Sequence, residues 1–324
     1  MWSLTLPLIE QAASFLKGKI RETPVEISSV LSEMLGVPVY LKLEFLQIMG
    51  SFKARGGLFY LSTLNPEEKR RGIGACTAGN HGLGLANAAK ELGVDCTIFV
   101  PKNVEPIKAD KIEKLGAKVR KSNFNGYDDT FEWALQEAAK SGLHLVSAFD
   151  DERIMASNGG SLAVEMLAQV PDAQNFIVPV GGGGLCGGIA YYIKAKNPGA
   201  RIIACQHKDS PGLKISLETG KTATKLPAIE TVAGAIEGGL GEKCFEILKS
   251  RVADVTLHSE EEIIEGFKWL LKNHQYLIEP SSAVAIASCL SKQIRNLKGP
   301  TVVVLSGRNV SLPTIEKLIS TTVA

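Results

Sequence analysis

The sequence predicts an α/β protein of two lobes, each with three layers in which helices cover both faces of a mostly parallel sheet. Strand-like apolar runs alternate with helix-like stretches through most of the chain, as is typical of parallel sheets with helical crossovers. The 324 residues exceed the size at which single cores usually stop growing, so two lobes are expected. Two clusters of glycine turns, one near Gly79 and one near Gly181, indicate two α/β units. In open α/β sheets, ligands bind at the carboxyl ends of the strands, where such turns occur.

Short apolar runs bounded by turn residues identify the strands, and amphipathic spacing identifies the helices. The predicted strands occupy residues 39–43, 73–77, 96–100, 117–121, 176–180, 201–205, 252–257 and 301–305. The clearest helical patterns occupy residues 81–92, 104–115, 128–140, 160–169 and 260–273. No repeat or low-complexity tract interrupts this order.

Charge and hydropathy exclude several classes of function. The 36 basic and 34 acidic residues give a net charge of +2 and are mixed along the chain, so neither nucleic acid nor an acidic membrane surface is expected as a partner. The longest uncharged run, residues 173–193, contains Pro179 and six glycines. A strand followed by a glycine loop explains that composition better than a membrane helix does.

The cysteines and the N-terminal segment predict a cytoplasmic protein. No two of the six cysteines have a CxxC spacing, and several lie in apolar runs, which favours buried thiols in a reducing compartment over disulfides or metal ligands. The first basic residue is Lys17, and Glu10 interrupts the first apolar stretch, which is the wrong charge order for a secretory signal.

The first motif that carries chemistry is the run SFKARGG at residues 51–57. Lys53 follows an aromatic residue and precedes two glycines. A solvated lysine at a helix start is the ordinary interpretation, since lysine is almost never fully buried unless it is paired or functional. The functional interpretation is a Schiff-base lysine, whose pKa falls when the amine is desolvated. The motif alone does not decide between them.

The second motif is TAGNHG at residues 77–82, placed after a predicted strand and before a predicted helix. Its backbone N–H groups, a hydroxyl and an amide at a helix N-terminus suit an anion such as a substrate carboxylate. Asn80 serving as a helix cap, with His81 a surface residue, is an equally good interpretation. The two roles can coexist.

The third motif is VGGGGLCGG at residues 180–188. Four consecutive glycines between a strand and a helix let the backbone wrap around a phosphate, and they are conformationally costly without such a reason. The run also fits the dinucleotide pattern GxGxxG, but Gln206 stands where that fold needs an acidic residue. A Walker-type loop ending at residues 220–222 fails because Ile215 replaces its first glycine.

Together, in this order and spacing, the three motifs resemble the threonine/serine dehydratase (ammonia-lyase) family. These are tryptophan-synthase-β-like, fold type II pyridoxal-phosphate enzymes. The resemblance covers nearly the whole chain and continues in FDD at residues 149–151, IEP at 278–280 and SGRN at 306–309. It implies a large cofactor-binding domain (residues 1–47 plus 148–324) and a small mobile domain (48–147). It also implies pyridoxal 5'-phosphate as cofactor, a small amino-acid substrate and a homodimer.

The resemblance assigns a role to each site residue. Lys53 would carry the cofactor as a Schiff base and move protons, and Ser306 would face the pyridine nitrogen. Phe52 would lie against the ring, and Asn80 would bond the ring hydroxyl. The phosphate would bind the backbone of Gly181, Gly182, Gly183, Gly184 and Leu185. The substrate carboxylate would bind Thr77, Ala78, Gly79 and His81. No metal site is expected.

The implied reaction converts L-threonine or L-serine into a 2-oxo acid and ammonia. Lys53 would remove the α-proton before the β-hydroxyl leaves. A neutral hydroxyl at Ser306 would not stabilise a protonated pyridine, which favours elimination over transamination. Since only about 20 residues follow Ser306, too few for a packed domain, no regulatory C-terminal domain is expected.

The sequence departs from the family pattern at several positions. Ala78 replaces the second hydroxyl that racemases carry, so racemisation is disfavoured. Ser147 and Ala148 replace a His-Pro pair. Gly234 replaces an aspartate, Gln206 replaces a cation-binding glutamate, and Arg308 places a large cation beside the ring-nitrogen site. These changes bear on substrate choice or indicate a weak enzyme.

Several alternatives remain open from the sequence. Serine racemisation and β-replacement use the same scaffold, although Ala54 and His81 differ from the usual synthase pattern. A protein that binds the cofactor without turnover is the competitor from another class. A nicotinamide-dependent oxidoreductase is disfavoured by Gln206. The preferred hydroxy-amino acid and the oligomeric state are not determined by the sequence.

Overall fold

The computed structural model describes residues 3–77, 79–102, 104, 106–125 and 127–321. The strands are β1 (Val25–Ile27), β2 (Val39–Lys42), β3 (Ile73–Cys76), β4 (Cys96–Val100), β5 (Lys118–Lys121), β6 (His144–Leu145), β7 (Asn175–Pro179), β8 (Arg201–His207), β9 (Asp254–His258) and β10 (Thr301–Val304). The helices are α1 (Leu6–Leu16), α2 (Ser29–Leu35), α3 (Lys53–Ser62), α4 (Pro66–Arg71), α5 (Asn80–Leu92), α6 (Pro106–Lys114), α7 (Tyr127–Lys140), α8 (Glu152–Met155), α9 (Ser161–Gln169), α10 (Gly184–Lys196), α11 (Gly212–Thr219), α12 (Glu242–Leu248), α13 (Glu260–His274), α14 (Pro280–Leu290) and α15 (Leu312–Ser320).

The described strands form two separate sheets. The larger has the order β1-β2-β10-β7-β8-β9, and the smaller has the order β5-β4-β3-β6. Every pairing is parallel except that of β1 with β2. The predicted α/β class with mostly parallel sheets is confirmed. Strands β1 and β6 were not predicted, because three and two residues are too few to show a periodic pattern.

The central strands of the larger sheet are buried on both faces. All five residues of β7 are buried, and its side chains alternate between two core clusters. Phe176 and Val178 pack in one cluster with α1, α9 and α10, while Ile177 packs in the other with α13 and α14. Helices on both faces explain why the strand sequences are continuously apolar.

Close helix contacts fix the position of the glycine loop. Helix α8 continues through a π-helical segment, Ala156–Gly160, into α9. A Cβ atom on Gly159 would lie 2.0 Å from the Leu185 carbonyl oxygen, and one on Gly188 would lie 2.0 Å from that of Met155. Only glycine permits the segment and α10 to approach this closely, so the start of α10 is held firmly.

The smaller sheet is built from residues 73–145, between two parts of the chain that build the larger one. The predicted domain boundaries after residues 47 and 147 fall outside all described strands. The division into a large and a mobile small domain itself stays a prediction. Among the described helices, none combines the length and apolar character needed to cross a bilayer.

Candidate active site

The predicted site residues gather at the carboxyl ends of strands from both sheets. The turn after β3 leads into Asn80, the turn after β7 contains the tetraglycine run, and Ser306 follows β10. Lys53, at the start of α3, donates a hydrogen bond of 2.6 Å from Nζ to the carbonyl oxygen of Ala148. Parallel strands bring their carboxyl ends together, so groups far apart in sequence come close to one another.

Burial changes the acidity of the Lys53 amine. Desolvation lowers its pKa from the usual 10.5 to about 8, while the nearby Cys244 and Glu279 act in the opposite direction. The amine lies 5.3 Å from the centre of the Phe52 ring. A lysine with a lowered pKa holds a larger neutral fraction near pH 7, which is the form that acts as nucleophile or base.

The tetraglycine turn is shaped by contacts that leave no room for side chains. A Cβ atom on Gly181 would lie 2.7 Å from the Ala235 carbonyl oxygen, and one on Gly182 would lie 2.3 Å from the Phe149 ring. Gly183 has a φ of +96°, which favours glycine, and it caps helix α10.

Helix α10 begins directly after this turn and directs its first amides toward it. Gly184 and Leu185 lie in the first turn of α10, where amides have no partner within the helix. Such amides, together with the positive end of the helix dipole, are able to bind an anion.

Asn80 belongs to a polar cluster around the buried Glu279. Its Nδ2 donates to both carboxylate oxygens of Glu279, at 2.9 and 3.0 Å. Its Oδ1 accepts a 2.7 Å bond from Nδ2 of Asn309, whose backbone N–H also donates to Glu279 at 3.2 Å. Burial raises the pKa of Glu279 to about 6, against the opposing effect of these hydrogen bonds. The cluster fixes the orientation of the Asn80 amide.

Ser306 is held beside the start of α3. It is buried, its N–H donates to Ser282 Oγ at 2.8 Å, and its carbonyl accepts from the Phe52 N–H at 3.2 Å. The next residue, Gly307, pairs with Ser51 in an isolated bridge. These bonds bring Ser306 next to Phe52 and Lys53.

The turn that enters α5 provides an uncharged polar surface. Thr77 Oγ1 accepts a 3.2 Å bond from the N–H of Gly79, which caps α5. His81 is buried, and burial lowers the pKa of its imidazole to about 3, although a hydrogen bond with the Val146 backbone opposes this. His81 is therefore neutral. Ala78 lies outside the described residues.

A network of three buried charges and the half-buried Glu165 lies under the first turn of α3. Arg55 bonds Glu44 through Nε and Nη2, both at 2.9 Å, and Glu165 through Nη1 at 2.7 Å and Nη2 at 2.9 Å. Lys42 donates to Glu165 at 2.8 Å. The network joins α3 to β2 and α9, two residues from Lys53, and so restricts where Lys53 can lie.

Glu279, Arg55 and the Ala148 carbonyl received no role from the sequence. Glu279 stands before Pro280 at the start of α14, so it has the position of an ordinary helix-cap residue.

Gln206, at the position of the family's cation-binding glutamate, accepts a bond from the Lys214 N–H and points one N–H at the Val180 carbonyl. In the described part of the chain, no group of three or more His, Cys, Asp or Glu side chains suits a metal ion.

The cysteines carry no cross-link. All six are buried and free, and burial raises the pKa of the Cys244 thiol well above its usual value. Cys244 Sγ lies 3.3 Å from the Phe149 carbonyl oxygen, close to the glycine turn. The thiol is therefore protonated and packs as a small apolar group.

The chain is similar to known proteins over almost its full length. The family model described as "Pyridoxal-phosphate dependent enzyme" matches residues 16–307. The chain is 36% identical to the L-threonine ammonia-lyase of Geobacter sulfurreducens, over 98% of this chain and 78% of that one.

Two solved structures share the fold. The T.th. threonine deaminase has a TM-score of 0.87 and 31% identity, covering 95% of this chain and 99% of that one. The serine racemase of Dictyostelium discoideum has a TM-score of 0.88 and 30% identity, also covering 95% and 99%.

Proposed function

The chain belongs to the family of pyridoxal-phosphate-dependent enzymes, and we propose that it is a carbon–nitrogen lyase, an ammonia-lyase of the threonine/serine dehydratase type. It would convert L-threonine or L-serine into a 2-oxo acid and ammonia. The observation that carries this proposal is the Lys53 amine, which has a pKa of about 8 and lies among groups drawn from both sheets. Relatives named for threonine deamination support the choice of substrate class.

The residues present fit pyridoxal 5'-phosphate. Gly181, Gly182, Gly183, Gly184 and Leu185 would hold the phosphate, and the contacts that exclude Cβ atoms there support a close backbone cradle. Phe52 would lie against the ring, Asn80 would bond the ring hydroxyl, and Ser306 would face the ring nitrogen. When bound, the cofactor supplies a conjugated system that withdraws electrons from the substrate α-carbon.

The protein's own groups would bind the substrate and move its proton. Lys53, in its neutral form, would take the proton from the α-carbon. Thr77, Ala78, Gly79 and His81 would bind the substrate carboxylate at the start of α5, where the helix dipole favours an anion. The buried neutral His81 leaves the dipole as the main source of positive potential in that turn.

Three further features belong to this proposal. The small domain, residues 48–147, would move relative to the rest, in keeping with its separate sheet. A homodimer is supported by exposed apolar side chains at Ile27, Val30 and Met34. Light scattering of the purified protein measures the oligomeric state.

A cytoplasmic location is supported by six buried, unpaired thiols.

The test combines spectroscopy with product analysis. Purified protein supplied with pyridoxal phosphate is expected to gain an absorption band at the blue edge of the visible, and to release oxo acid and ammonia from L-threonine or L-serine. The Lys53→Ala variant should lose both properties. The Lys17→Arg variant should lose neither, because Lys17 is exposed and is not a residue of the candidate site. A loaded protein that releases no oxo acid would contradict the proposal.

Chiral analysis separates the alternatives on the same scaffold. Accumulation of D-serine without oxo acid would identify a racemase, which the likeness to a serine racemase structure makes the second candidate. Capture of an added thiol by serine would identify β-replacement. The cofactor band without any turnover would identify a binding protein.

A further inference from the structure

Tyr60, near the end of α3, is the centre of a polar cluster outside the candidate active site. Its hydroxyl oxygen lies 2.6 Å from Nε2 of His144, the first residue of β6. The guanidinium carbon of Arg153 lies 3.9 Å from the centre of the Tyr60 ring, and Arg153 forms an ion pair of 3.0 Å with Asp151. Tyr60 and Arg153 are buried, and His144 is half-buried. The cluster therefore joins α3 to β6 and to α8.

The direction of the hydrogen bonds in this cluster follows from its chemistry. Burial raises the pKa of the Tyr60 hydroxyl above its usual value, so the group stays protonated. Arg153 also forms a hydrogen bond with that hydroxyl, which acts on its pKa in the opposite direction. Because a guanidinium has only donors, it occupies an acceptor position of the Tyr60 oxygen. The O–H of Tyr60 is then left to donate to Nε2 of a neutral His144.

The chain between β6 and α8, residues 146–151, contacts two parts of the candidate active site. The carbonyl oxygen of Ala148 accepts the hydrogen bond from Lys53 Nζ. The ring of Phe149 packs on the tetraglycine turn so closely that a Cβ atom on Gly182 would lie 2.3 Å from it. The position of this one segment therefore affects both the lysine and the turn.

Tyr60 contacts residues on both sides of this segment. His144 stands two residues before it, and Arg153 stands two residues after it. Tyr60 belongs to the same helix as Lys53, so these two contacts fix the segment relative to the lysine. A buried hydroxyl and a buried guanidinium each cost free energy when they lose a partner, and a cation over an aromatic ring adds a favourable contact. The cluster therefore resists displacement of the segment.

We propose that Tyr60 is a positioning residue for the cofactor: through His144 and Arg153 it holds residues 146–151 against Lys53 and the tetraglycine turn. The inference rests on the proposed cofactor site and names a residue that acts on that site only through this segment. Loss of the Tyr60 hydroxyl releases the end of the segment at His144, so Phe149 supports the turn less firmly and the cofactor is held less tightly.

The hydrogen bond to His144 makes this positioning depend on pH. A protonated imidazole has two donors and no acceptor. Burial has the largest effect on the pKa of His144 and lowers it below its usual 6.5. Glu68 of α4 and Asp151 act in the opposite direction, whereas Arg153 and Arg71 of α4 add to the lowering. The bond is therefore present at neutral pH, and it is lost when the pH falls below the pKa of His144.

The dissociation constant of pyridoxal phosphate, measured by equilibrium dialysis against the full chain at about pH 7.5 and about pH 5, tests the proposal. Tyr60→Phe should weaken cofactor binding about threefold to tenfold at the higher pH, the effect of losing one hydrogen bond. At the lower pH the parent has lost this bond too, so the two proteins should bind alike. Other groups titrate in both proteins, and their effects cancel in the ratio of the two constants.

Two further variants complete the test. His144→Gln keeps an uncharged acceptor at both pH values, so it should bind the cofactor more tightly than the parent does at the lower pH. Tyr191→Phe is the matched control, because the Tyr191 ring also lies under an arginine, with the guanidinium carbon of Arg251 at 5.1 Å from its centre. It should bind the cofactor as the parent does at both pH values. Circular dichroism confirms that each variant folds.

Two results would overturn the proposal. One is parent-like cofactor binding by Tyr60→Phe at the higher pH. The other is a deficit of the same size at both pH values, which a general loss of packing would produce. If Tyr60→Phe does not fold, His144→Gln decides, and a parent-like affinity at the lower pH would then count against the proposal. Because the readout is cofactor binding rather than turnover, a negative result leaves the proposed lyase activity standing.

Discussion

Replacing Arg55 by Met should destabilise the protein strongly, because Arg55 neutralises two carboxylates under the start of α3. Arg55 and Glu44 have no exposed surface. Without the guanidinium, Glu44 keeps only bonds from Thr23 and Gln47, and Glu165 keeps the ammonium of Lys42. Breaking a buried ion pair by removing one partner costs about 3–5 kcal/mol. That is a large part of the roughly 5–15 kcal/mol that holds a typical protein folded.

The physical cause can be isolated with a second substitution. Arg55→Met combined with Glu44→Gln removes the stranded charge while nearly keeping the packed volume. We therefore expect the double variant to be more stable than the single one, recovering about half of the loss. Removing Glu44 alone should also destabilise, since Arg55 would then have only Glu165 as a charged partner.

Urea unfolding of the cofactor-free proteins, followed by circular dichroism, measures these differences. Arg295→Met is the matched control, because Arg295 is exposed and its loss should change stability by no more than about 0.5 kcal/mol. The reasoning is refuted if Arg55→Met costs less than about 1 kcal/mol, or if Glu44→Gln makes the Arg55→Met protein still less stable.

Three further predictions concern the candidate site. Glu279→Gln should weaken cofactor retention, because an amide cannot accept from the Asn80 Nδ2 through both of its polar atoms; equilibrium dialysis measures the retention. Gly182→Ala should also reduce retention and should cost about 1–3 kcal/mol of stability, since its Cβ would lie 2.3 Å from the Phe149 ring. In the cofactor-free protein, Lys53 should make stability rise between pH 8 and 10.5, where the folded state loses its proton before the unfolded state does.

Each of these has its own control. Gly187→Ala should be milder than Gly182→Ala, since the nearest atom to its Cβ is a flexible Met155 sulfur at 3.2 Å. Equal losses in the two variants would contradict the argument from crowding. The alkaline rise should vanish in Lys53→Met, and its persistence there would assign the titration to another group. Unchanged cofactor retention in Glu279→Gln would mean that Asn80 does not depend on Glu279.

Local sequence features predicted the elements that frame the site. The predicted strands lie within two residues of the observed ones, because short apolar runs between turn residues have few other ways to bury their side chains. The tetraglycine turn was recognisable because four consecutive glycines are conformationally costly without a structural reason. In the structure Gly183 has a left-handed φ, and Gly181 and Gly182 have no room for a Cβ. The family resemblance added the roles of Lys53, Asn80 and Ser306, which remain predictions.

The sequence by itself determined the order of strands and helices and the glycine turns, since these depend on residues adjacent in the chain. Only the tertiary structure decided that Glu279 meets Asn80 across 199 positions, that Arg55 meets Glu165 across 110, and that Lys111 and Arg308 line one cavity. Such pairings arise when sheets and helices pack, and each side chain alone has the pattern of an ordinary cap, helix or surface residue. Burial of Glu279 and of Arg55 makes their two pairings necessary, because a charged group removed from water must find a partner.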